Sequence, residues 1–250
     1  QSSKPVGCLI VMTDVTRLKQ LEAMRRVFVA NVSHELKTPI TSIGGYIETA
    51  QGDIPPETKN EFLEKAIAQN LRLNSIIDDL LRLSRIEAMQ DEDTFTLSNQ
   101  KILPVIEGSV EDIRETIKKY NAKVIVNCAN EIYADIDSQL FREAIINLIE
   151  NAIKYSDVNP EVILNVKEKT ENIYIDVKNA GSVIPEKERN KIFNRFYRID
   201  KSRSKKTGGT GLGLAIVKHI SIVHNGNIWV NKSDKKSTVF RFTLPKNIVN

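Results

Sequence analysis

A histidine with a carboxylate beside it and a hydroxyl one turn away is a nucleophile with two helpers, and this chain carries such a group. In Phe28-Val-Ala-Asn-Val-Ser-His34-Glu35-Leu-Lys-Thr38-Pro39-Ile40, Glu35 directly follows His34 and Thr38 stands four residues on, along the same helical face as the histidine. A neutral imidazole has a lone pair that can attack an electrophile. Glu35, hydrogen-bonded to the other ring nitrogen, would orient the ring and stabilise the positive charge that develops. Adjacent helical positions point about 100° apart, so this contact needs a suitable Glu35 rotamer. Pro39 lies inside the helical pattern, where it removes a donor and clashes with the Glu35 carbonyl one turn back. A bend is expected there.

Four further segments have the chemistry of a nucleotide site. In Asn147-Leu-Ile-Glu-Asn151-Ala-Ile-Lys154-Tyr155-Ser156, the two asparagines share a helix face. Their amide oxygens are hard ligands suited to Mg²⁺, and Lys154 supplies a compact positive charge for phosphate. In Gly208-Gly209-Thr210-Gly211-Leu212-Gly213-Leu214-Ala215, spaced glycines let a backbone approach phosphates, and the following helix aims its donors and dipole at negative charge. This is neither a Walker sequence nor the dinucleotide fingerprint. In Lys191-Ile-Phe193-Asn-Arg195-Phe196-Tyr197-Arg198, aromatics interleave with arginines, a pattern that suits a cover over a nucleotide with Arg198 at phosphate. Val177-Lys-Asn179-Ala180-Gly181-Ser-Val183-Ile184-Pro185 follows a strand pattern and sets one polar side chain near a glycine. Taken singly, each segment also fits an ordinary amphipathic helix, turn or aromatic core. Their conjunction is what points to nucleotide.

The elements that must carry these residues fall into two sets. From Thr16 to about Ala50 the helical pattern is nearly continuous, with Leu18, Leu21, Met24, Phe28 and Val32 in a heptad-like stripe. Thr16 is the expected N-cap, and a short strand is expected over Gly7–Met12. Gln51 to Pro56 forms a turn, with Gly52 at the helix end and the proline pair opening the next element. A second helix runs from about Glu57 to Glu87, with Phe62, Ile67, Leu71, Ile77, Leu80, Leu81 and Ile86 on one side and Asn70 and Asn74 at its edge. Two such helices bury too little alone, so two hairpins are expected to pair as a homodimeric four-helix bundle.

Met89 to Thr94 is a polar, acidic break. Beyond it helices are expected at Leu103–Tyr120, Ser138–Tyr155 and Gly211–His224. Strands are expected at Lys123–Cys128, Ile132–Ile136, Val162–Val166, Ile173–Val177, Asn227–Val230 and Val239–Leu244. This is an α+β two-layer sandwich, one mixed or antiparallel sheet with helices on one face. The expected divisions are 1–15 as the end of an upstream segment, 16–90 as the all-α helical hairpin and 97–250 as the α+β domain.

At 250 residues the chain has room for one or two domains with real cores. A net charge of +4 is too small and too evenly spread to argue for nucleic acid. Cys8 and Cys128 are far apart, which argues against a disulfide framework and fits a reducing compartment. His34, His219 and His224 are the only histidines, too few and scattered for a zinc site. No run approaches the roughly 20 apolar residues that cross a bilayer. The chain begins at Gln1 and is expected to be a fragment.

The S-H-E-L-K-T-P run resembles the phosphoacceptor box of bacterial sensor histidine kinases. N-L-I-E-N-A-I-K-Y-S, I-F-N-R-F-Y-R and G-T-G-L-G-L-A-I resemble the ATP-binding (Bergerat-type) domain that those kinases share with gyrase and MutL, in its kinase branch. The resemblance covers nearly everything from Val15 to Leu244. It implies phosphorylation of His34 from ATP with Mg²⁺, then transfer to an aspartate of a response regulator. It implies that Asn151 holds the metal with Asn147 nearby, that Lys154 and Arg198 face phosphates, and that Tyr155 packs near the nucleotide. It also implies that Gly209, Gly211, Leu212 and Gly213 shape a phosphate lid, and that Thr38 positions water in a reverse, regulator-dephosphorylating activity. The family's D-x-G-x-G becomes Asn179-Ala-Gly181-Ser-Val183 here. Asn179 falls at the adenine-binding position with Gly181 beside it, and a neutral acceptor there implies weaker ATP binding by on the order of 1 kcal/mol. The strand followed by Asp14-Val15-Thr16 resembles the end of a PAS sensor domain feeding a signalling helix. The chain would then be the cytoplasmic portion of a membrane-anchored receptor, with no nucleic-acid partner.

Two rivals are weighed against this reading. A phosphatase-dominant or pseudokinase dimer is favoured by Asn179 and Val183. A gyrase-like ATPase machine is opposed by the His34-Glu35-Thr38-Pro39 helix.

Overall fold

The computed structural model describes residues 12–92, 94–156, 159–200 and 209–246. The strand expected at Gly7–Met12 (apart from Met12), Cys8 and Gly208 lie outside them. The chain divides into two compact units, residues 1–69 and 70–250.

The first unit holds α1 (Thr16–Gln51) and the opening turns of α2 (Pro56–Glu92). Thr16 is not the cap: it is the first helical residue, and its N–H is taken by Asp14 Oδ1 at 2.8 Å. The cap position is Val15 (φ −102°, ψ 11°), which has no side-chain acceptor, and the aspartate before it takes up the first helical N–H instead. The helix continues through Pro39, whose missing N–H leaves the Glu35 carbonyl without its i+4 partner. Around it, hydroxyls fold back onto carbonyls: Ser33 on Val29 at 2.9 Å, Thr38 on His34 at 3.1 Å and Ser42 on Thr38 at 3.0 Å. Gly52 ends the helix in an extended conformation, φ −67° and ψ 173°. Across the turn, the Tyr46 and Phe62 rings lie 6.0 Å apart, with the Lys65 ammonium 5.2 Å from the Phe62 centroid.

The expected single apolar stripe of α2 splits in two. Ala66, Ile76, Leu83 and Ile86 are buried, whereas Ile67, Leu71, Ile77 and Leu81 are exposed. Apolar residues at i, i+3 and i+4 cover more arc than one seam uses.

The second unit comprises the rest of α2, β1 (Ser98–Lys101), α3 (Ile102–Asp112), α4 (Arg114–Lys119), β2 (Lys123–Asn127), β3 (Tyr133–Ile136), α5 (Ser138–Lys154), β4 (Glu161–Glu168), β5 (Asn172–Asn179), α6 (Gly213–Val223), β6 (Asn227–Ser233) and β7 (Thr238–Pro245). Its sheet has the order β2-β4-β5-β7-β6, parallel between β2 and β4 and antiparallel elsewhere. A mixed sheet with helices against it is the α+β layering the sequence called for. Two details differ. The strand at 133–136 leaves the main sheet and pairs with β1, which the polar Ser98-Asn-Gln-Lys101 does not announce. The helix expected over Leu103–Tyr120 breaks at Ile113 (φ −101°, ψ 17°), a buried residue with no glycine or proline to mark the break.

Burial alternates along β4 (Val162, Leu164, Val166) and β5 (Ile173, Ile175, Val177), and the same phase carries Asn179 inward at the strand end. Helix α5 lays Phe141, Ile145, Leu148 and Ala152 toward the core and packs on α3, α6, β4 and β5. Phe141 meets Phe242 nearly edge-on at 6.0 Å. The start of α5 is doubly fixed. Asp137 caps it, accepting from Gln139 and Leu140 N–H at 3.0 Å. The Asp137 N–H in turn donates to Nε2 of buried His224 at 3.1 Å. His224 Nδ1 lies 2.8 Å from the Ile220 carbonyl, which can only accept, so Nδ1 carries the proton and Nε2 is the acceptor. Burial holds this imidazole below its usual pKa.

Candidate functional site

In the first unit His34 is exposed on α1, with Glu35 and Thr38 half-buried. His34, Lys37, Thr38, Thr41 and Ser42 border a shallow depression of roughly 360 Å³. The Thr38 hydroxyl donates to the His34 carbonyl, so in this rotamer it can hold a water only by accepting from it.

In the second unit a cavity of roughly 970 Å³ opens beside the exposed edge of α5. Asn147, Asn151, Lys154, Tyr155, Asn179, Arg198, Gly209, Gly211 and Gly213 all line it. Their grouping follows from local structure. Because α5 spends its i, i+4 and i+8 apolar positions on the core, Asn147, Asn151 and Lys154 fall together on the face that remains. Asn147 Nδ2 donates to the Glu143 carbonyl at 3.0 Å, which leaves its Oδ1 as the outward acceptor. A Cβ on Gly213 would lie 2.7 Å from that oxygen, so only glycine lets the first turn of α6 come this close. Lys154 is held by Glu150 at 2.9 Å across one helical turn.

Gly211 and Phe196 pack backbone to backbone. Phe196 N–H donates to the Gly211 carbonyl at 2.8 Å, with φ +61° at Phe196 and +78° at Gly211. A Cβ on Gly211 would stand 3.0 Å from Phe196 Cα. A bulky aromatic in the left-handed region is strained, and here the surrounding packing holds it. Gly181 and Leu212 do not line the cavity. Leu212 is fully buried and precedes α6. Gly181 bridges Ser156, and a Cβ on it would sit 2.1 Å from the Tyr155 carbonyl oxygen.

The sequence did not mark a further set of polar groups in and around the cavity. Asp79 and Glu143 both line it, and burial raises both carboxyls above their usual range. Asp79 Oδ2 accepts from Thr210 Oγ1 at 2.6 Å, and the same hydroxyl oxygen accepts from Leu212 N–H at 3.2 Å. Glu87 is bound by Arg195 and lies 3.2 Å from His219 Nε2. Burial, with Arg195 and Lys218 nearby, pushes His219 down to about 4, so at neutral pH that contact is a hydrogen bond to Glu87 and not an ion pair. The hydrophobic stripe of α2 masked Asp79 and Glu87 between its apolar positions.

A nucleotide suits this cavity: amide oxygens and a lysine line it together with a helix N-terminus and three glycines. Among the described residues no group of three or more His, Cys, Asp or Glu is placed to hold a metal ion. A divalent cation here would therefore depend on phosphate oxygens and water with one or two amide oxygens, as Mg²⁺ does. No helix among the described residues is long and apolar enough to cross a membrane.

Two family models match the chain, the His Kinase A (phospho-acceptor) domain over residues 24–89 and the Histidine kinase-, DNA gyrase B-, and HSP90-like ATPase over residues 136–248. The chain is 37% identical over 250 residues to the sensor histidine kinase WalK of Bacillus subtilis, covering 96% of this chain and 39% of that protein. It is 37% identical over 255 residues to the sensor protein kinase WalK of Staphylococcus aureus, covering 97% of this chain and 59% of that protein. It thus spans between two and three fifths of these relatives' lengths. Among solved structures, histidine kinase ThkA in complex with the response regulator protein TrrA superposes with a TM-score of 0.64 at 25% identity, covering 94% of this chain and 68% of that one. The Acinetobacter baumannii histidine kinase AdeS gives 0.66 at 22% identity, over 86% of this chain and 98% of that one, a likeness of fold.

Proposed function

Because the chain belongs to the sensor histidine kinase family, we propose that it binds ATP in the cavity of the second unit and transfers the γ-phosphoryl group to a ring nitrogen of His34. The nitrogen lone pair forms the P–N bond as the bond from phosphorus to the β,γ-bridging oxygen breaks, and ADP leaves. Glu35 accepts a hydrogen bond from the other ring nitrogen and balances the charge that forms on the ring. The phosphoryl group then passes to an aspartate carboxylate of a response regulator. The observation that carries this reading is the convergence of Asn147, Asn151, Lys154, Asn179, Arg198 and Gly211 on one cavity, in a chain that also has His34 on an exposed helical face.

In this proposal Lys154 and Arg198 face the phosphates, Tyr155 flanks the nucleotide, and Asn179 accepts from the adenine amine. Gly209, Gly211 and Gly213 bring backbone N–H groups close to the phosphates, and Leu212 and Gly181 keep that backbone in place. Asn151 is the protein's ligand for Mg²⁺, which when bound neutralises phosphate charge. Catalysis otherwise rests on positioning. Exposed Ile67, Leu71 and Leu81 on α2 support a homodimer formed through the helical hairpins. The domain limits 16–90 and 97–250 are retained as proposals. So is anchoring of the full protein to a membrane through segments outside this chain, which would leave this portion in the cytoplasm.

A second reading, a regulator phosphatase with weak kinase activity, is favoured by Val183, which is exposed at the cavity wall where the family has glycine. Incubation with γ-labelled ATP and Mg²⁺ separates the two. Acid-labile, alkali-stable label in wild type that is lost in His34→Gln and Asn151→Ala supports the kinase. No label, with nucleotide still bound, rules the kinase out and leaves the phosphatase.

A further inference from the structure

Asn179 poses a problem of selectivity that a carboxylate would not. A carboxylate presents an acceptor whichever way it turns, whereas an amide presents either an acceptor or a donor, depending on a 180° flip. Whatever fixes the flip fixes which base fits.

The fixing group is visible behind the cavity wall. Asn179 is 4% exposed, and its Nδ2 lies 3.1 Å from Ser156 Oγ. The Ser156 hydroxyl is 2.7 Å from the Ala152 carbonyl. That carbonyl ends α5, and the Ser156 N–H goes to Ile153 instead, at 3.4 Å. The hydroxyl has one hydrogen, and Ala152 can only accept, so the hydrogen goes there. Ser156 Oγ is then purely an acceptor toward Asn179, and the amide must donate to it through nitrogen. A flipped amide would set two acceptors face to face, or strip Ala152 of its donor. The Asn179 oxygen is therefore the atom turned toward the ligand. The Ser156–Gly181 bridge holds both residues in this arrangement, because nothing larger than glycine fits against the Tyr155 carbonyl.

We propose that Ser156 is the positioning residue that gives the nucleotide site its base selectivity, by holding the Asn179 amide with its oxygen toward the ligand as a substitute for a carboxylate. This rests on the reading of Asn179 as the adenine contact. Adenine offers an amine donor at C6. Hypoxanthine offers an oxo acceptor there, which would meet the Asn179 oxygen with no hydrogen between them.

The test compares the affinity of the full chain for adenosine and inosine triphosphates. Wild type should prefer ATP by about tenfold or more, because mismatched acceptors leave both groups unpaired. In Ser156→Ala the amide is released to flip, and the preference should fall to about threefold or less, chiefly through tighter inosine triphosphate binding. In Ser156→Ala/Asn179→Asp the acceptor no longer depends on orientation, and the preference should return. An undiminished preference in Ser156→Ala, or none in wild type, overturns the proposal. If wild type binds neither nucleotide, the ATP-site reading fails as well. Should Ser156→Ala not fold, the Asn179 side-chain NH₂ resonances of wild type decide the matter. One proton shifted downfield and slow to exchange supports the bond to Ser156, and two water-like protons overturn it.

Discussion

Replacing Thr210 with valine keeps the shape of a buried side chain and deletes one oxygen, so its cost isolates two hydrogen bonds. Thr210 is 8% exposed. Its hydroxyl donates to Asp79 at 2.6 Å and accepts from Leu212 N–H, just before α6, at 3.2 Å. A hydrogen bond to a charged partner contributes about 1.5–3 kcal/mol, most of it felt when the partner stays buried and unpaired. An orphaned N–H at a helix start adds about 1 kcal/mol. Thr210→Val should therefore lose about 2–4 kcal/mol by urea denaturation at pH 7. Asp79→Asn keeps an acceptor and sheds a charge that burial penalises, so it should stay within about 1 kcal/mol of wild type. The double variant should fall short of the sum by at least about 1 kcal/mol. The pH dependence carries the same information. Burial raises the Asp79 carboxyl above its usual 3.8, while Thr210 and Arg82 pull it down. The folded state thus holds a proton that the unfolded state has released, and this contribution to stability fades as pH rises through the window above 3.8. Removing Thr210 widens the window, so the deficit of Thr210→Val should shrink on acidification toward pH 4. A valine variant within about 0.5 kcal/mol of wild type, with no coupling to Asp79, would refute the reasoning.

Gly211→Ala should cost about 2–3 kcal/mol, because φ +78° and a Cβ placed 3.0 Å from Phe196 Cα are penalised together, and it should weaken nucleotide binding, as thermal melts with and without ATP would show. Gly181→Ala should cost at least as much and abolish adenine selectivity, since its Cβ would stand 2.1 Å from a backbone oxygen that cannot move alone; unchanged melting would count against the Ser156–Gly181 bridge. The third expectation concerns acid. The unfolded chain protonates His219 below about 6.5 while the folded chain resists until about 4, so stability is complete at neutral pH and falls as pH drops through that window. Burial of Asp79 and Glu143 acts in the opposite sense at lower pH. His219→Gln should therefore recover about 1 kcal/mol of the loss seen between pH 7 and 5.5.

Periodicity revealed much of this molecule and left specific parts hidden. The alternation of β5 places Asn179 on the inner face of the sheet, and the 3.6 repeat of α5 leaves Asn147, Asn151 and Lys154 together; the helix face could be read from spacing, whereas Asn179 is singled out by the resemblance, since the expected strand stops at Val177. Strand β1 could not, because Ser98-Asn-Gln-Lys101 has no apolar alternation and owes its pairing to β3. The break at Ile113 and the bond from Thr16 N–H to Asp14 depend on local dihedral and hydrogen-bond choices that residue types leave open. Ser156 reads as an ordinary serine at a helix end until its one hydrogen is traced to Ala152. Asp79 and Thr210 are far apart in sequence, and no pattern within α2 or the glycine turn foretells their meeting.

The backbone bond from Phe196 to Gly211 also sets an evolutionary boundary. It ties together two left-handed residues, and Gly211 stands two positions before α6. Insertions at Phe196 or Gly211 would unfasten the start of α6 itself. Descendants of this chain should therefore keep Phe196 and Gly211 in step with each other.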